Sequence, residues 1–193
     1  GSSGTCKSEE YTLPTTGTLS SAPSVTRTTG SASASQANGF IVTTSYTAGN
    51  SAFILDADGA VVWAASAPQQ SSRARMDYEG VNMWMLALNA MNSGGEMRLV
   101  SMDGQTSKNS ISGLSGAHHD FTVLPKKIAT PVWTGSGMDP DSNLVEMNSD
   151  GSGSATTVYK IGSNLYLGGT SAFGVGSNTF HVNSILYHAE DGS

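Results

Sequence analysis

All four histidines of the 193-residue chain lie in two short stretches, "GAHHDFTVLP" (116–125) and "FHVNSILYHAEDGS" (180–193). Each stretch leads into an apolar, strand-like run, in a chain of which only 12% of the residues are charged. An imidazole can move a proton, donate a hydrogen bond to an anion or bind a metal. The chemistry of the chain therefore depends on whether the fold brings the two stretches together.

Composition limits the fold and the partners. The chain has 23 glycines, many Ser, Thr and Asn residues and a length suited to one domain, which predicts an all-β fold. Residues 1–38 are rich in Ser, Thr and Gly, and we expect them to be a partly extended N-terminal segment, with residues 39–193 as the folded domain. A net charge of −6 offers no basic stripe for nucleic acid, and no apolar run approaches the roughly 20 residues of a membrane span. The composition is typical of a secreted or periplasmic protein.

A repeat of strand-like runs predicts the architecture. Four apolar runs end in an Asp-Gly pair, at intervals of 45, 47 and 41 residues: Asp58-Gly59, Asp103-Gly104, Asp150-Gly151 and Asp191-Gly192. Asp-Gly between two strands predicts a hairpin with a type I′ turn. About four short strands per repeat is the size of a β-propeller blade, whereas a β-sandwich does not repeat at this interval. We therefore expect a propeller of four-stranded blades, with about four blades in this chain.

Within a propeller, the innermost strands would bring the histidines together. The innermost strand of each blade lines the central channel, so His119 and His181 could converge on the propeller axis. Asn183 would project to the same side of its strand as His181, whereas the adjacent His118 and His119 point to opposite faces unless the strand is bulged. One element stays open, because "NMWMLALNAM" (82–91) fits both a buried strand and a short helix.

Three segments resemble the bacterial PAPS-independent arylsulfotransferases over roughly residues 50–193. The segments are "HHDFTVLP" (118–125), "DSNLVEMNSDG" (141–151) and "HVNSILYHAEDGS" (181–193). The resemblance implies a six-bladed propeller that transfers a sulfuryl group from an aryl sulfate to a phenol through a histidine, without a cofactor. It matches His181 and Asn183 to the family's oxyanion-binding pair and His118 or His119 to its other binding histidine, and it places the family's nucleophilic histidine beyond the end of this chain. The candidate catalytic residues of this chain are His119 and His181, and the candidate substrate-binding residues are His118 and Asn183.

Two arginines add a further candidate for anion binding. Arg73 and Arg75 in "SSRARMDYEG" (71–80) are two residues apart and lie on one face of a strand. One interpretation is a solvated outer edge. The other is that Arg75 reaches the channel and binds the substrate anion in place of an arginine that the family has beyond the end of this chain.

Two alternatives to sulfuryl transfer also fit the histidines. Imidazoles that converge on a propeller axis would suit copper or zinc, with His118, His119 and His181 as the ligands. The propeller could also be a non-catalytic binding module, with its histidines hydrogen-bonded at strand entrances. Metal analysis and a transfer assay distinguish the three hypotheses.

The repeat count also predicts a partner. If the complete propeller has six blades, we expect a second polypeptide to complete it, most simply a C-terminal fragment of the same precursor cleaved after Ser193. Cys6 is the only cysteine of the chain and is the candidate for a disulfide to that fragment. The small-molecule partner would be an aromatic substrate.

Overall fold

The computed structural model of the chain describes residues 39–45, 51–66, 70–88, 95–134, 141–161 and 182–188. The elements in these ranges are eleven β-strands in three antiparallel sheets, so the prediction of an all-β fold is confirmed. None of the described residues belongs to a helix that is long and apolar enough to cross a membrane. The N-terminal segment with Cys6, the residue His181 and the last Asp-Gly pair lie outside the described ranges.

Each sheet is a meander in which strands that follow one another in the chain are hydrogen-bonded neighbours. The first sheet consists of β1 (Ile41–Ser45), β2 (Ser51–Leu55) and β3 (Val61–Ser66). The second consists of β4 (Gln70–Met76), β5 (Asn82–Leu88), β6 (Gly95–Ser101) and β7 (Ser107–Lys108). The third consists of β8 (Thr122–Leu124), β9 (Lys127–Thr134), β10 (Asp141–Asn148) and β11 (Thr156–Lys160).

The sheets stack face to face, with the second sheet in the middle. Strand β5 shows this directly, because Met83 and Met85 belong to the apolar cluster shared with the first sheet. Trp84 and Leu86, which alternate with them, belong to the cluster shared with the third sheet. A strand buried on both faces is apolar at every position, so its periodicity cannot separate it from a buried helix. The segment 82–91 therefore forms a strand over Asn82–Leu88.

Asp-Gly hairpins occur at the three repeats that the structure describes, but they are not type I′ turns. In each, the glycine has a positive φ and its N–H donates to the carbonyl three residues earlier: Gly59 to Asp56 (3.1 Å), Gly104 to Ser101 (2.8 Å) and Gly151 to Asn148 (2.9 Å). The aspartate before each glycine does not have a positive φ. The hairpin prediction is confirmed, and the predicted turn type is wrong. A type I turn precedes each glycine, and in such a hairpin only the glycine adopts the left-handed region.

Tryptophans connect each sheet to the Asp-Gly turn of the next. The indole Nε1 of Trp63 in the first sheet donates to the carbonyl of Met102 at 3.0 Å. Trp84 in the second sheet donates in the same way to the carbonyl of Ser149 at 2.8 Å. Each acceptor residue directly precedes an Asp-Gly pair. The repeat in the sequence is thus also a repeat of the contacts between sheets.

The first strands of the three sheets lie along one side of the stack. Strand β1 contacts β4, and β4 contacts β8. The described sheets are not closed into a ring, and three of them are described rather than the expected four. Arg73, Arg75 and Asp120 lie on this side of the stack, two of them in β4 and the third just before β8.

Candidate anion-binding site

A cavity of about 680 Å³ lies between the first strands of the sheets. Strand β1 contributes residues 42–44 to its walls, β4 contributes residues 72–76, and Tyr78 and Val123 complete the described lining. The charged side chains among these lining residues are those of Arg73 and Arg75. This wall therefore presents positive charge to whatever enters the cavity.

A bulge in β4 sets the direction of the two arginines. The pairing of β4 with β5 shifts between Ser71 and Arg73, so Ser72 is an extra residue without a partner in the β5 register. Beyond this bulge, Arg73 and Arg75 alternate with the buried Ala74, which packs between the first and second sheets. Because side chains alternate along a strand, both arginines lie on the face opposite Ala74.

The buried carboxylate of Asp120 connects the arginines to the third sheet. Its Oδ1 accepts from Arg73 Nε at 2.9 Å and from the backbone N–H of Phe121 at 2.9 Å, and Arg75 Nη2 lies at 3.5 Å. Its Oδ2 accepts from the backbone N–H of Ile185 at 3.3 Å. A carboxylate has about four acceptor sites, so these donors satisfy it. Asp120 thereby joins β4, the start of β8 and residues 182–188.

Both guanidinium groups keep donors available for a ligand. The side chains of Arg73 and Arg75 are 43% and 35% exposed, whereas that of Asp120 is 3% exposed. A guanidinium has five N–H donors in a planar fork, and Asp120 occupies only Nε of Arg73 and one amino group of Arg75. The structure thus places Arg75 on the cavity wall, together with Arg73, and both are held by an anion buried behind the wall.

His118 lies inside the third sheet. It is 1% exposed, its Nε2 lies 2.9 Å from the hydroxyl of Ser142, and its ring centroid is 4.6 Å from that of Trp133. His119 has a φ of 59° and its ring lies edge-on to that of His118, with the centroids 5.2 Å apart. The left-handed backbone of His119 interrupts the alternation of side chains that a regular strand would have, so the rings of His118 and His119 are neighbours. Neither histidine is among the described residues that line the cavity.

Residues 182–188 lie beside β8 without forming a strand in the structure. Two of their backbone N–H groups donate to the third sheet: that of Ile185 to Asp120 Oδ2 and that of Tyr187 to Thr122 Oγ1 at 3.2 Å. Asn183 is exposed. His181 lies outside the described residues, so its predicted approach to His118 or His119 stays a prediction.

The described ranges contain no group of three or more His, Cys, Asp or Glu residues placed to hold a metal ion. The copper or zinc hypothesis includes His181, which these ranges do not cover, and it stays a prediction as well.

Three described groups with a shifted pKa lie outside the cavity lining. A hydrogen bond from the Ser101 hydroxyl lowers the pKa of Asp103, and one from the Ser152 hydroxyl lowers the pKa of Asp150. Burial lowers the pKa of the Arg98 guanidinium on β6. The two aspartates stabilise the hairpin turns, so their role is in the scaffold.

The sequence identified Arg75 as a candidate, with Arg73 beside it, but it did not predict that Asp120 pairs with them. The available signal for Asp120 was its place at the entrance to an inner strand, directly after the histidine pair. Its partners were not predictable because 45 positions separate Arg75 from Asp120 in the sequence.

Comparisons of the chain with protein-family models, with curated proteins and with solved structures find no match. The resemblance to the arylsulfotransferases therefore rests on the three quoted segments alone.

Proposed function

We propose that the chain forms part of a β-propeller and that the cavity is a section of its central channel. Three observations support this arrangement. The sheets are antiparallel meanders, they stack face to face, and their first strands contact one another in order. Residues 182–188 continue this order, because they lie beside β8 as the first strand of a following blade would.

The proposed function of the channel is to bind the oxyanion group of an aryl sulfate and transfer it to a phenol. The observation that carries the proposal is the pair of guanidiniums, Arg73 and Arg75, which the buried Asp120 fixes on one cavity wall. A sulfuryl group in transfer spreads negative charge over three oxygens, as a phosphoryl group does. Planar guanidinium donors fixed before the substrate arrives are suited to that charge.

The family's nucleophilic histidine has no match in the three segments of resemblance, so we propose that the second polypeptide supplies it. Its nitrogen would form a bond to sulfur while the bond from sulfur to the aryl oxygen breaks and a phenolate leaves, with His119 and His181 acting beside it on the sulfuryl group. The oxygen of a second phenol would then form a bond to sulfur while the bond from sulfur to the histidine nitrogen breaks, and the phenol proton would pass to the released imidazole. Asn183 and His118 would contact the sulfuryl oxygens, as the family pattern implies.

A binding module without catalysis is the second candidate, and one observation favours it. His118 is buried, is within hydrogen-bonding distance of Ser142 and packs on Trp133, which is how a structural histidine is placed. In that case the arginine pair would bind an anion that is not transformed. Binding of an aryl sulfate without release of the phenol would be the result.

A partner chain is part of the proposal. The two ends of the stack expose large apolar side chains, Phe40 (67%) and Ile41 (60%) at β1 and Leu186 (78%) beside β8. A closed ring would cover both ends, so we propose a second polypeptide that supplies the remaining blades. Native mass spectrometry of material from the natural source should show this companion chain, and a homogeneous active monomer of 19.8 kDa would contradict it.

Calorimetric titration with 4-nitrophenyl sulfate tests the anion site. We expect the double variant Arg73→Gln/Arg75→Gln to bind at least about tenfold more weakly, because it loses both charged donors. The matched control Lys126→Gln/Lys127→Gln removes two cations at the β8–β9 turn, away from the cavity lining, and should bind as the unaltered chain does. Equal affinity in the arginine variant would contradict the proposal. Release of 4-nitrophenol with phenol present separates transfer from binding.

A further inference from the structure

The charge of the cavity wall indicates which class of anion it would bind, and this inference rests on the function proposed above. Two guanidiniums line the cavity and one carboxylate lies directly behind them. The three groups together carry one net positive charge. Among the other described lining residues none carries a charge.

We propose that Asp120 is a specificity-determining residue that limits the site to ligands with a single negative charge. The carboxylate contacts both arginines and is shielded from water. A monoanion is balanced by the one net positive charge of the wall. The arginines attract either ligand, and the carboxylate behind them reduces that attraction to the effect of one net positive charge. The cost of removing a ligand from water rises steeply with its charge, so the reduced attraction offsets this cost for a monoanion and not for a dianion.

Asp120 acts through the arginines and does not line the cavity, so its effect differs from that of a ligand-binding residue. It orients Arg73 through Nε, which leaves the amino nitrogens of that guanidinium for the ligand. The carbonyl of Asp120 accepts from Thr130 Oγ1 at 3.0 Å, which fixes the backbone that carries the carboxylate. Removal of the charge alone should therefore change ligand preference, while the position of the arginines is kept.

Two aryl esters of the same shape and different charge provide the test. 4-Nitrophenyl sulfate has one negative charge, and 4-nitrophenyl phosphate has two at pH 8, above a second phosphate pKa of about 6. On the unaltered chain we expect the sulfate ester to bind about tenfold or more tightly than the phosphate ester, measured by calorimetry at low salt.

The variant Asp120→Asn tests the residue itself. Its side-chain oxygen can keep the contacts of Oδ1 with Arg73 and Phe121, and only the 3.3 Å bond to Ile185 is lost. We expect the ratio of the two affinities to move by about tenfold toward the phosphate ester. The control Glu146→Gln removes a carboxylate that pairs with Lys127 at 2.6 Å, away from the cavity lining, and should leave the ratio unchanged.

The outcomes are distinguishable. A phosphate ester that binds the unaltered chain as tightly as the sulfate ester overturns the inference, and so does an unchanged ratio in a folded Asp120→Asn variant. If that variant does not fold, the ratio on the unaltered chain still decides the charge assignment. If neither ester binds the unaltered chain, the proposed anion site itself is wrong, and the inference is wrong with it.

Discussion

The second and third sheets are built alike, and they differ in their first strands. Both are four-stranded meanders with an Asp-Gly turn between the third and fourth strands. Strand β4 has seven residues and carries two arginines after a bulge, whereas β8 has three residues and follows a left-handed histidine. The charged residues follow these irregular positions: the two arginines come after the bulge, and Asp120 comes directly after His119. The comparison teaches that a common scaffold supports the site, while local departures from regular β structure determine its chemistry.

The largest expected effect is on the free energy of unfolding, and it should differ between a tryptophan of the second sheet and one of the third. Trp84 is fully buried between the second and third sheets and donates to the carbonyl of Ser149, so Trp84→Ala should lower the free energy of unfolding by about 3–5 kcal/mol. Trp133 in the third sheet is only half-buried, and Trp133→Ala should cost less. Urea denaturation of both variants checks this, and a larger loss for Trp133→Ala would break the comparison.

Two buried carboxylates provide the next comparison. Asp77 accepts from the N–H groups of Val81 and Asn82 and from the Asn82 amide, whereas Asp120 accepts from two arginines and backbone N–H groups. Replacement of either by Ala leaves donors without their acceptor and should cost about 2 kcal/mol.

Salt should separate the two carboxylates. The loss in Asp120→Ala should shrink in 1 M NaCl, because partly exposed cations are screened, and the loss in Asp77→Ala should not. Equal salt dependence of the two variants would show that the arginine contacts contribute little to stability.

The Asp-Gly turns of the two sheets should make stability depend on acid pH. The Ser101 and Ser152 hydroxyls are the main causes that lower the pKa of Asp103 and Asp150, and Lys108 adds to the second. A group whose pKa is lowered on folding stabilises the fold above its unfolded pKa of about 4, and this stabilisation is lost as the pH falls through the folded value.

The double variant Asp103→Asn/Asp150→Asn tests this dependence. Asparagine keeps a side-chain acceptor and does not titrate, so the loss of stability between neutral pH and pH 2 should be smaller than in the unaltered chain. Thermal unfolding over that range is the measurement. Identical pH profiles would mean that the turns do not contribute to acid sensitivity.

The smallest effect is expected at the ion pair on the surface of the third sheet. Lys127 and Glu146 are 2.6 Å apart, but Lys127 is half exposed, unlike the carboxylate that holds the arginines. Exposed pairs of this kind contribute about 0.5 kcal/mol or less, so Lys127→Gln should unfold almost as the unaltered chain does. A loss above about 1 kcal/mol would remove the distinction between this pair and the Asp120 contacts.

The scaffold was predictable from the sequence because its signals are local. An Asp-Gly pair between apolar runs determines a hairpin by short-range backbone geometry, and its recurrence predicted the three described meanders. The type of turn was not predictable, since Asp-Gly fits both a type I′ turn and a type I turn with a left-handed glycine. Strand β5 was ambiguous because burial on both faces removes the alternation that marks a strand.

The site was predictable only in part, because its contacts are long-range. The spacing of Arg73 and Arg75 predicted a shared face, but the bulge at Ser72 and the partner Asp120 depend on how two sheets meet. His118 and His119 were expected on opposite faces. The left-handed φ of His119, uncommon outside glycine, makes them neighbours instead.

The most direct test of the arginine site is a side-chain NMR titration. In ¹⁵N-labelled protein, the Nε–H resonances of Arg73 and Arg75, assigned with the single Gln variants, would be followed as 4-nitrophenyl sulfate is added. The account predicts that both resonances shift together and saturate. The Nε–H resonance of Arg98 should not shift, because Arg98 is half-buried on β6 and is not among the described lining residues. Shifts at Arg98 with none at Arg73 and Arg75 would contradict it.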